Sequence, residues 1–225
     1  TVAGSLTLRN NAGLVNLEGL RNLTSIGFDL FIENNAQLVT LAGLRSLEQV
    51  GQSENHGGRV RIGLNNSLRS VDGLQRLTTI HGDLNLSNNQ QLLALDSLSH
   101  LERIGGNLVL LQNESLTQLE GLSSLATIDG SVFIDGNASL ETLQPLHSLS
   151  EIGHNLIVDG NRRLTSLAGF ESITTIRGSM IIANNNALEA LEGVENLTEI
   201  ADDLLISGNP ELLTLSSLTN LTAVR

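Results

Sequence analysis

The sequence predicts a mainly β protein that folds as one right-handed β-solenoid, a single domain over residues 1–225. An Asn recurs nine times within one sequence frame, 24 residues apart at every step except one of 30. Apolar residues recur at fixed positions around each Asn, and apolar and variable residues alternate just before it. A fixed period of this length is typical of a solenoid, in which each repeat forms one coil stacked on the last. The recurring residues are Asn11, Asn35, Asn65, Asn89, Asn113, Asn137, Asn161, Asn185 and Asn209.

The repeat defines nine coils that share one numbering of positions. Each coil has 24 positions, and the six extra residues of coil 3, within 51–59, are left out of this numbering. Positions 4, 6, 12, 15, 18, 21 and 24 hold only Leu, Ile, Val, Met or Phe, at all 63 sites (nine coils times seven positions). These side chains are predicted to fill one continuous core. Coils 1 to 9 span 3–26, 27–50, 51–80, 81–104, 105–128, 129–152, 153–176, 177–200 and 201–224.

Each coil is predicted to contain a β-strand before its Asn. Positions 4 and 6 alternate with variable residues at 3, 5 and 7, which is the period of two of a strand. Stacked coils pair such strands in parallel, about 4.8 Å apart. From position 12 onward the apolar spacing becomes three, which indicates a chain that turns inward once per short segment. Short strands and 3₁₀ or helical turns both fit that spacing.

The Asn at position 9 is predicted to form a ladder at the bend that follows the strand. Its amide has both donors and an acceptor, so stacked Asn side chains satisfy backbone groups that burial would otherwise leave unpaired. Position 8, just before it, is Asn or Gly in seven coils, the residue types that tolerate positive φ. The exceptions are Leu64 and Gln112, where we expect a locally different bend.

The repeat frame resembles a known family. Residues 178–200 and 130–152 carry the frame Gly-x-Leu-x-Ile-x-x-Asn-x-x-Leu-x-x-Leu-x-x-Leu-x-x-Leu-x-x-Ile. It resembles the L domains of the insulin and epidermal growth factor receptors, in which Leu follows as Asn-x-x-Leu rather than as the Asn-x-Leu of ordinary leucine-rich repeats. The resemblance implies a secreted or cell-surface module that binds or adheres to a protein or glycan. Receptor L domains have disulfide-bonded caps, whereas this chain has no Cys, and we expect it to be a segment of a longer chain.

Composition argues against several function classes. The net charge of −12 disfavours nucleic acid and anionic membranes as partners. No apolar run reaches the length of a membrane-spanning helix, so no membrane insertion is expected within this segment. Neither a His cluster with metal-ligand spacing nor a paired-carboxylate cleft is recognisable, and we predict no enzymatic activity and no cofactor. Charge is polarised, since residues 1–80 sum to +1 (seven Arg, six acids) and residues 81–225 to −13 (five Arg, eighteen acids).

The candidate partner-binding surface is the outer face of the strands. Position 5 is predicted to point away from the core and is apolar in all of the last five coils. A continuous exposed apolar surface marks an interaction site more often than scattered residues do. Such a row also fits strand pairing alone, or self-association as a dimer or end to end. The candidate residues are Phe31, Arg61, Val109, Phe133, Ile157, Ile181 and Leu205 on the strands, and Glu54 and His56 in the insertion.

Three weaker candidates lie elsewhere in the repeat. Asp135 and Asp159, at position 7 of adjacent coils, would share a Ca²⁺ ion, although Asp-Gly is also a plain turn signal. Position 22 holds a Thr-rich row of the kind found on ice-binding solenoids, but Glu48 and Glu102 interrupt it. Glycosylation sequons stand at outward position 20, at Asn22, Asn196 and Asn220.

Overall fold

A computed structural model describes residues 1–51 and 57–225. The candidate residues Glu54 and His56 lie outside the described residues and stay predictions. Along the described chain, no helix has the length and apolar character needed to cross a membrane.

One four-residue strand per coil builds a parallel sheet of nine strands, called here the long sheet. Neighbouring coils pair position to position, as in Phe133 opposite Ile157. This confirms the predicted β-solenoid with one parallel strand before each Asn. The strands are Leu6–Arg9, Leu30–Glu33, Val60–Gly63, Leu84–Ser87, Leu108–Leu111, Val132–Asp135, Leu156–Asp159, Met180–Ala183 and Leu204–Ser207.

The second half of each coil contains a two-residue strand at positions 23 and 24. These strands are Ser25–Ile26, Gln49–Val50, Thr79–Ile80, Arg103–Ile104, Thr127–Ile128, Glu151–Ile152, Thr175–Ile176, Glu199–Ile200 and Ala223–Val224. They form separate parallel sheets of two, four and three strands. The spacing of three between apolar residues therefore corresponds to turns that end in one short strand.

Six coils also contain a single 3₁₀ turn at positions 16 to 18. These turns are Glu18–Leu20, Ala42–Leu44, Asp96–Leu98, Glu120–Leu122, Gln144–Leu146 and Ser216–Leu218. In coils 3, 7 and 8 the same place holds Gly73, Gly169 and Gly193, each with φ between 109 and 122°. Both arrangements direct the apolar side chain at position 18 into the core.

The predicted apolar positions form one continuous core. In coils 2 to 8 every one of them is at most 1% exposed. Coils 1 and 9 each have a neighbouring coil on one side only in this chain, and several of their apolar residues, such as Leu8 and Leu212, are only partly buried against the core.

The Asn ladder has the geometry that the sequence predicts. The Asn113 side chain donates from Nδ2 to the carbonyl oxygen of Leu86 in the preceding coil, at 2.9 Å. Its Oδ1 accepts the backbone N–H of Asn89, at 3.1 Å. The same pair of bonds recurs from coil to coil, and the ladder Asn residues of coils 2 to 8 are fully buried. Each Asn thus joins its own coil to the one before it.

The expectation of a different bend at Leu64 and Gln112 is wrong. The φ of Leu64, 58°, falls within the range of the position-8 Asn residues, from 54° to 60°, and that of Gln112, 53°, lies next to it. The backbone N–H of Leu64 donates to the Ser87 carbonyl at 3.0 Å, as that of Asn88 does to Leu111 at 2.8 Å. Hydrogen bonds to the next coil fix the bend, so Leu and Gln adopt the left-handed conformation despite its steric cost.

Candidate partner-binding face

The structure brings the position-5 residues into one aligned row on the outer face of the long sheet. Pairing runs in register from Thr7 to Leu205. The apolar row, as it is called below, consists of the last five members. Leu205 is 48% exposed and the other four are half-buried. These four lose exposure because each lies between two position-5 side chains on the neighbouring strands, and the five together form a continuous apolar strip. Its members are Val109, Phe133, Ile157, Ile181 and Leu205.

A second polar ladder, which the sequence analysis missed, borders the apolar row at position 3. Here a side-chain oxygen accepts the backbone N–H of the position-3 residue in the next coil. Asn107 Oδ1 accepts from Ser131 at 2.7 Å, and Ser131 Oγ accepts from Asn155 at 3.1 Å. The available signal was composition, since position 3 is Ser, Asp or Asn in every coil except that of Arg59. This border is already bonded to backbone, which makes it a rigid edge of the face.

The other border, at position 7, carries two adjacent carboxylates. Asp135 and Asp159 are register partners on neighbouring strands, and Asp159 Oδ1 accepts a hydrogen bond from Asn184 Nδ2 at 2.9 Å. Burial, followed by the charge of Asp159, raises the pKa of Asp135 above its ordinary value. The described residues include no group of three or more His, Cys, Asp or Glu that would hold a metal ion. Two carboxylates fall well short of the six to eight oxygens that Ca²⁺ prefers.

The first coils carry a charged network on the same face. Phe31 lies between the guanidinium groups of Arg9 and Arg59, which are 4.7 and 5.9 Å from the centre of its ring. These cation–π contacts cover Phe31 from both neighbouring coils. Phe31 therefore belongs to this network and is separated from the apolar row by Arg61 and Asn85.

The acids of this network are neutralised within the sheet. Glu33 forms ion pairs with both Arg9 and Arg61, the latter at 2.6 Å. Arg59 Nη2 lies 3.1 Å from Asp29 Oδ2, and hydrogen bonding to Asp29, followed by its charge, raises the pKa of Arg59. The outer face thus has two parts, a charge-paired part in coils 1 to 3 and the apolar row in coils 5 to 9.

The Thr row at position 22 uses its hydroxyl groups within the solenoid. Thr198 Oγ1 donates to the Thr174 carbonyl at 3.0 Å, and Thr222 Oγ1 donates to the Thr198 carbonyl at 3.1 Å. The interrupting Glu48 forms an ion pair with Arg76 at 2.6 Å. These contacts give the row a structural role within the solenoid, which accounts for its Thr residues without ice binding.

The sequon residues at position 20 also join neighbouring coils. Asn196 Nδ2 donates to the Glu171 carbonyl at 2.9 Å, and Asn220 Nδ2 to the Glu195 carbonyl at 2.8 Å. Both residues remain exposed. Position 20 is thus another place where side chains tie each coil to the one before it.

Comparison with known proteins identifies part of the repeat. Residues 57–144 match the family model described as Receptor L domain. No curated protein and no solved structure matches the chain. The matched segment includes all of coils 4 and 5, and the same frame of Asn and apolar positions continues on both sides of it. The resemblance drawn from the repeat is confirmed, since residues 57–144 are similar to the receptor L-domain family.

Proposed function

We propose that this chain is a non-enzymatic recognition or adhesion module, secreted or on a cell surface, that binds a partner through the outer face of its long sheet. The observation that carries the proposal is the apolar row, five aligned residues that stay partly accessible on a face over which the described residues place no further layer. The Receptor L domain match supports it, because that family consists of ligand-binding rather than catalytic modules.

The form of the face suits contact with another macromolecule. Parallel strands about 4.8 Å apart place the five side chains of the row over roughly 19 Å. The position-3 ladder holds one border rigid, so that little side-chain entropy would be lost on that side when a partner binds. Phe133, the row's aromatic member, has an apolar neighbour on both sides, the setting in which interface hot spots occur.

A protein partner fits this face better than a glycan. Sugar-binding platforms generally use exposed aromatic rings, and this chain has neither Trp nor Tyr. The outer face of the long sheet carries only two rings among the described residues, the half-buried Phe133 and Phe31, which Arg9 and Arg59 cover. Aliphatic side chains at Val109, Ile157 and Ile181 complement apolar protein side chains.

Self-association is the second candidate, because a second copy would bury the same apolar row. Light scattering across a concentration series separates the two candidates. A monomer at every concentration would exclude a dimer or an end-to-end assembly. A dimer that dissociates when residues of the apolar row are substituted would favour self-association.

The test of the proposed function is a double substitution in the row, Phe133→Thr with Ile157→Thr. Thr occurs naturally at position 5 of the first coil, as Thr7, and suits strands. The wild type and the variant are each immobilised and screened against secreted proteins, and each is applied in solution to a glycan array. The affinity of every partner found is then measured. We expect the double variant to weaken binding by about 30-fold or more, since hot spots are worth about 2 kcal/mol or more.

The matched control changes two exposed apolar residues outside the sheet, Val39→Thr with Leu93→Thr, which are 43% and 52% exposed. The control is expected to bind like the wild type. A partner that binds the row variant and the wild type equally would exclude the outer face as its site.

A further inference from the structure

The carboxylates beside the apolar row differ from those at the other end of the face. In coil 2, Arg residues of coils 1 and 3 neutralise Asp29 and Glu33. In coils 6 and 7, by contrast, no ion pair involves Asp135 or Asp159 among the described residues; the one polar partner found for their carboxylates is the amide of Asn184. The part of the face that carries the apolar row thus keeps an unneutralised negative pair.

This pair lies close enough to the row to be covered together with it. Asp135 stands two residues after Phe133 in the same strand, and Asp159 stands two residues after Ile157. Two residues of a strand span about 7 Å. A partner that removes water from the row therefore also removes water from one or both carboxylates.

Covering these carboxylates has a cost that depends on the partner's charge. An ionised group taken out of water is strongly destabilised unless an opposite charge replaces the water. The two side chains already disfavour each other, because adjacent strands hold two like charges in register. A neutral or acidic partner would increase this cost, whereas a Lys or Arg placed between the carboxylates would offset it.

The charge of the whole chain acts in the same direction at longer range. Residues 81–225, which include the apolar row, have a net charge of −13, against +1 for residues 1–80. Such a field attracts cationic partners during encounter and orients them toward the more negative part of the chain.

We infer that the partner of this face is a basic, apolar polypeptide segment, whose apolar side chains cover the apolar row while its Lys or Arg side chains lie over Asp135 and Asp159. This inference rests on the proposed function and names the chemistry of the partner at the same site. It selects a protein segment that combines both features, and it excludes acidic proteins and anionic glycans.

Three synthetic peptides test the two features separately. They are ten-residue alternating Leu-Lys, Leu-Glu and Ser-Lys peptides, titrated against the wild-type chain by calorimetry at about physiological ionic strength, where surface charges are screened beyond about 8 Å. We expect the Leu-Lys peptide to bind at least about tenfold more tightly than either of the others, which corresponds to about 1.4 kcal/mol. Equal affinity for the Leu-Lys and Leu-Glu peptides, or for the Leu-Lys and Ser-Lys peptides, would overturn the inference.

Two variants of equal charge change locate the effect. The first is Asp135→Asn with Asp159→Asn, and the second is Asp96→Asn with Glu120→Gln, an exposed pair on the 3₁₀ turns of adjacent coils. The first is expected to lower the affinity for the Leu-Lys peptide by about tenfold, and the second to leave it close to wild type. Equal effects of the two variants would mean that only total charge matters, and the inference would fall.

The row variant separates this inference from the proposed function. If Phe133→Thr with Ile157→Thr abolishes binding of the Leu-containing peptides while Asp135→Asn with Asp159→Asn changes nothing, the face binds partners but the basic-partner inference is wrong. If the row variant has no effect on any peptide, the proposed function is itself contradicted. If the wild type is a dimer that only the row variant dissociates, a second copy of this chain covers the outer face. That result would also overturn the inference.

Discussion

At the scale of single residues, each ladder Asn completes the hydrogen bonding of the coil before it. Asn113 accepts the backbone N–H of Asn89 and donates to the Leu86 carbonyl, and both residues are buried. Asn113→Ala leaves this donor and this acceptor without partners, and a buried unpaired group costs about 1–3 kcal/mol. We expect a loss of about 2–5 kcal/mol in the free energy of unfolding, measured by urea denaturation.

The control for this prediction is the exposed first rung, Asn11→Ala. The Asn11 side chain donates to Asn35 and to the Arg9 carbonyl, and water is available to replace both bonds. We expect a loss below about 1 kcal/mol. Equal losses for the two variants would show that the ladder contributes little beyond local side-chain packing.

Leu64 offers a stabilising change at the same bend. It holds φ at 58° and exposes 51% of its surface, whereas the adjacent coils have Asn34 and Asn88 at this position. The left-handed conformation costs an ordinary residue roughly 1–2 kcal/mol, and Asn tolerates it better. Leu64→Asn should therefore raise the free energy of unfolding by about 1 kcal/mol. Leu64→Ala removes the same exposed side chain without relieving the backbone, so a gain of equal size from Ala would contradict this explanation.

At the scale of the element, the glycine at position 17 of a 3₁₀ turn can lie very close to the preceding coil, although other 3₁₀ turns have Ser or Pro there. The turns Glu18–Leu20 and Glu120–Leu122 have the same sequence, Glu-Gly-Leu. A Cβ atom added to Gly121 would lie 1.7 Å from the Leu95 carbonyl oxygen, whereas one added to Gly19 has nothing within 4 Å. The two glycines are therefore a matched pair that differs in the presence of a preceding coil.

Alanine substitution in these two turns should have opposite effects. Gly121→Ala forces the backbones of coils 4 and 5 apart and should destabilise the fold by about 1–3 kcal/mol or more. Gly19→Ala meets open space and should change stability by less than about 1 kcal/mol, in the stabilising direction, because it restricts the unfolded chain. Thermal unfolding of both variants checks this, and a stable Gly121→Ala would mean that the coils slide to admit a methyl group.

The elements that could be predicted from the sequence are those that require an apolar or an amide side chain at the same position of every coil. The long strands and the Asn ladder follow from such positions. The second ladder was missed because Ser, Asp and Asn each supply the oxygen that it needs, so position 3 looks variable. The bend at Leu64 was mispredicted because residue preference is weaker than the hydrogen bonds that each coil receives from the next.

The candidate site was predictable to a similar extent. Alternation within the strand placed Phe133 and Ile157 in one row, and the register confirms that alignment. The stacking of Arg9 and Arg59 on Phe31 was not predictable, because it depends on where long side chains from neighbouring coils meet. The sequence thus gives the row's alignment, and the structure separates its charge-paired part from its apolar part.

At the scale of the whole molecule, the stability of each coil depends mainly on its immediate neighbours. Strand pairing joins each coil to its immediate neighbours only, and the ladder bonds connect residues 24 or 27 apart, or 30 or 33 across the insertion. In such an architecture stability is approximately a sum of coil terms and interface terms. Damage to one coil should therefore weaken the nearest coils most.

Leu116→Ala in coil 5 tests this expectation. Leu116 is fully buried, and truncation of a buried Leu costs about 2–5 kcal/mol. Amide hydrogen exchange followed by mass spectrometry should show the largest loss of protection in coils 4, 5 and 6, a smaller loss in coils 3 and 7, and the smallest in coil 2. The conservative variant Leu116→Met keeps most of the volume and should reproduce the wild-type pattern. A uniform loss along all described coils would instead mean that the rod opens as one cooperative unit, because local opening would then cost more than global unfolding.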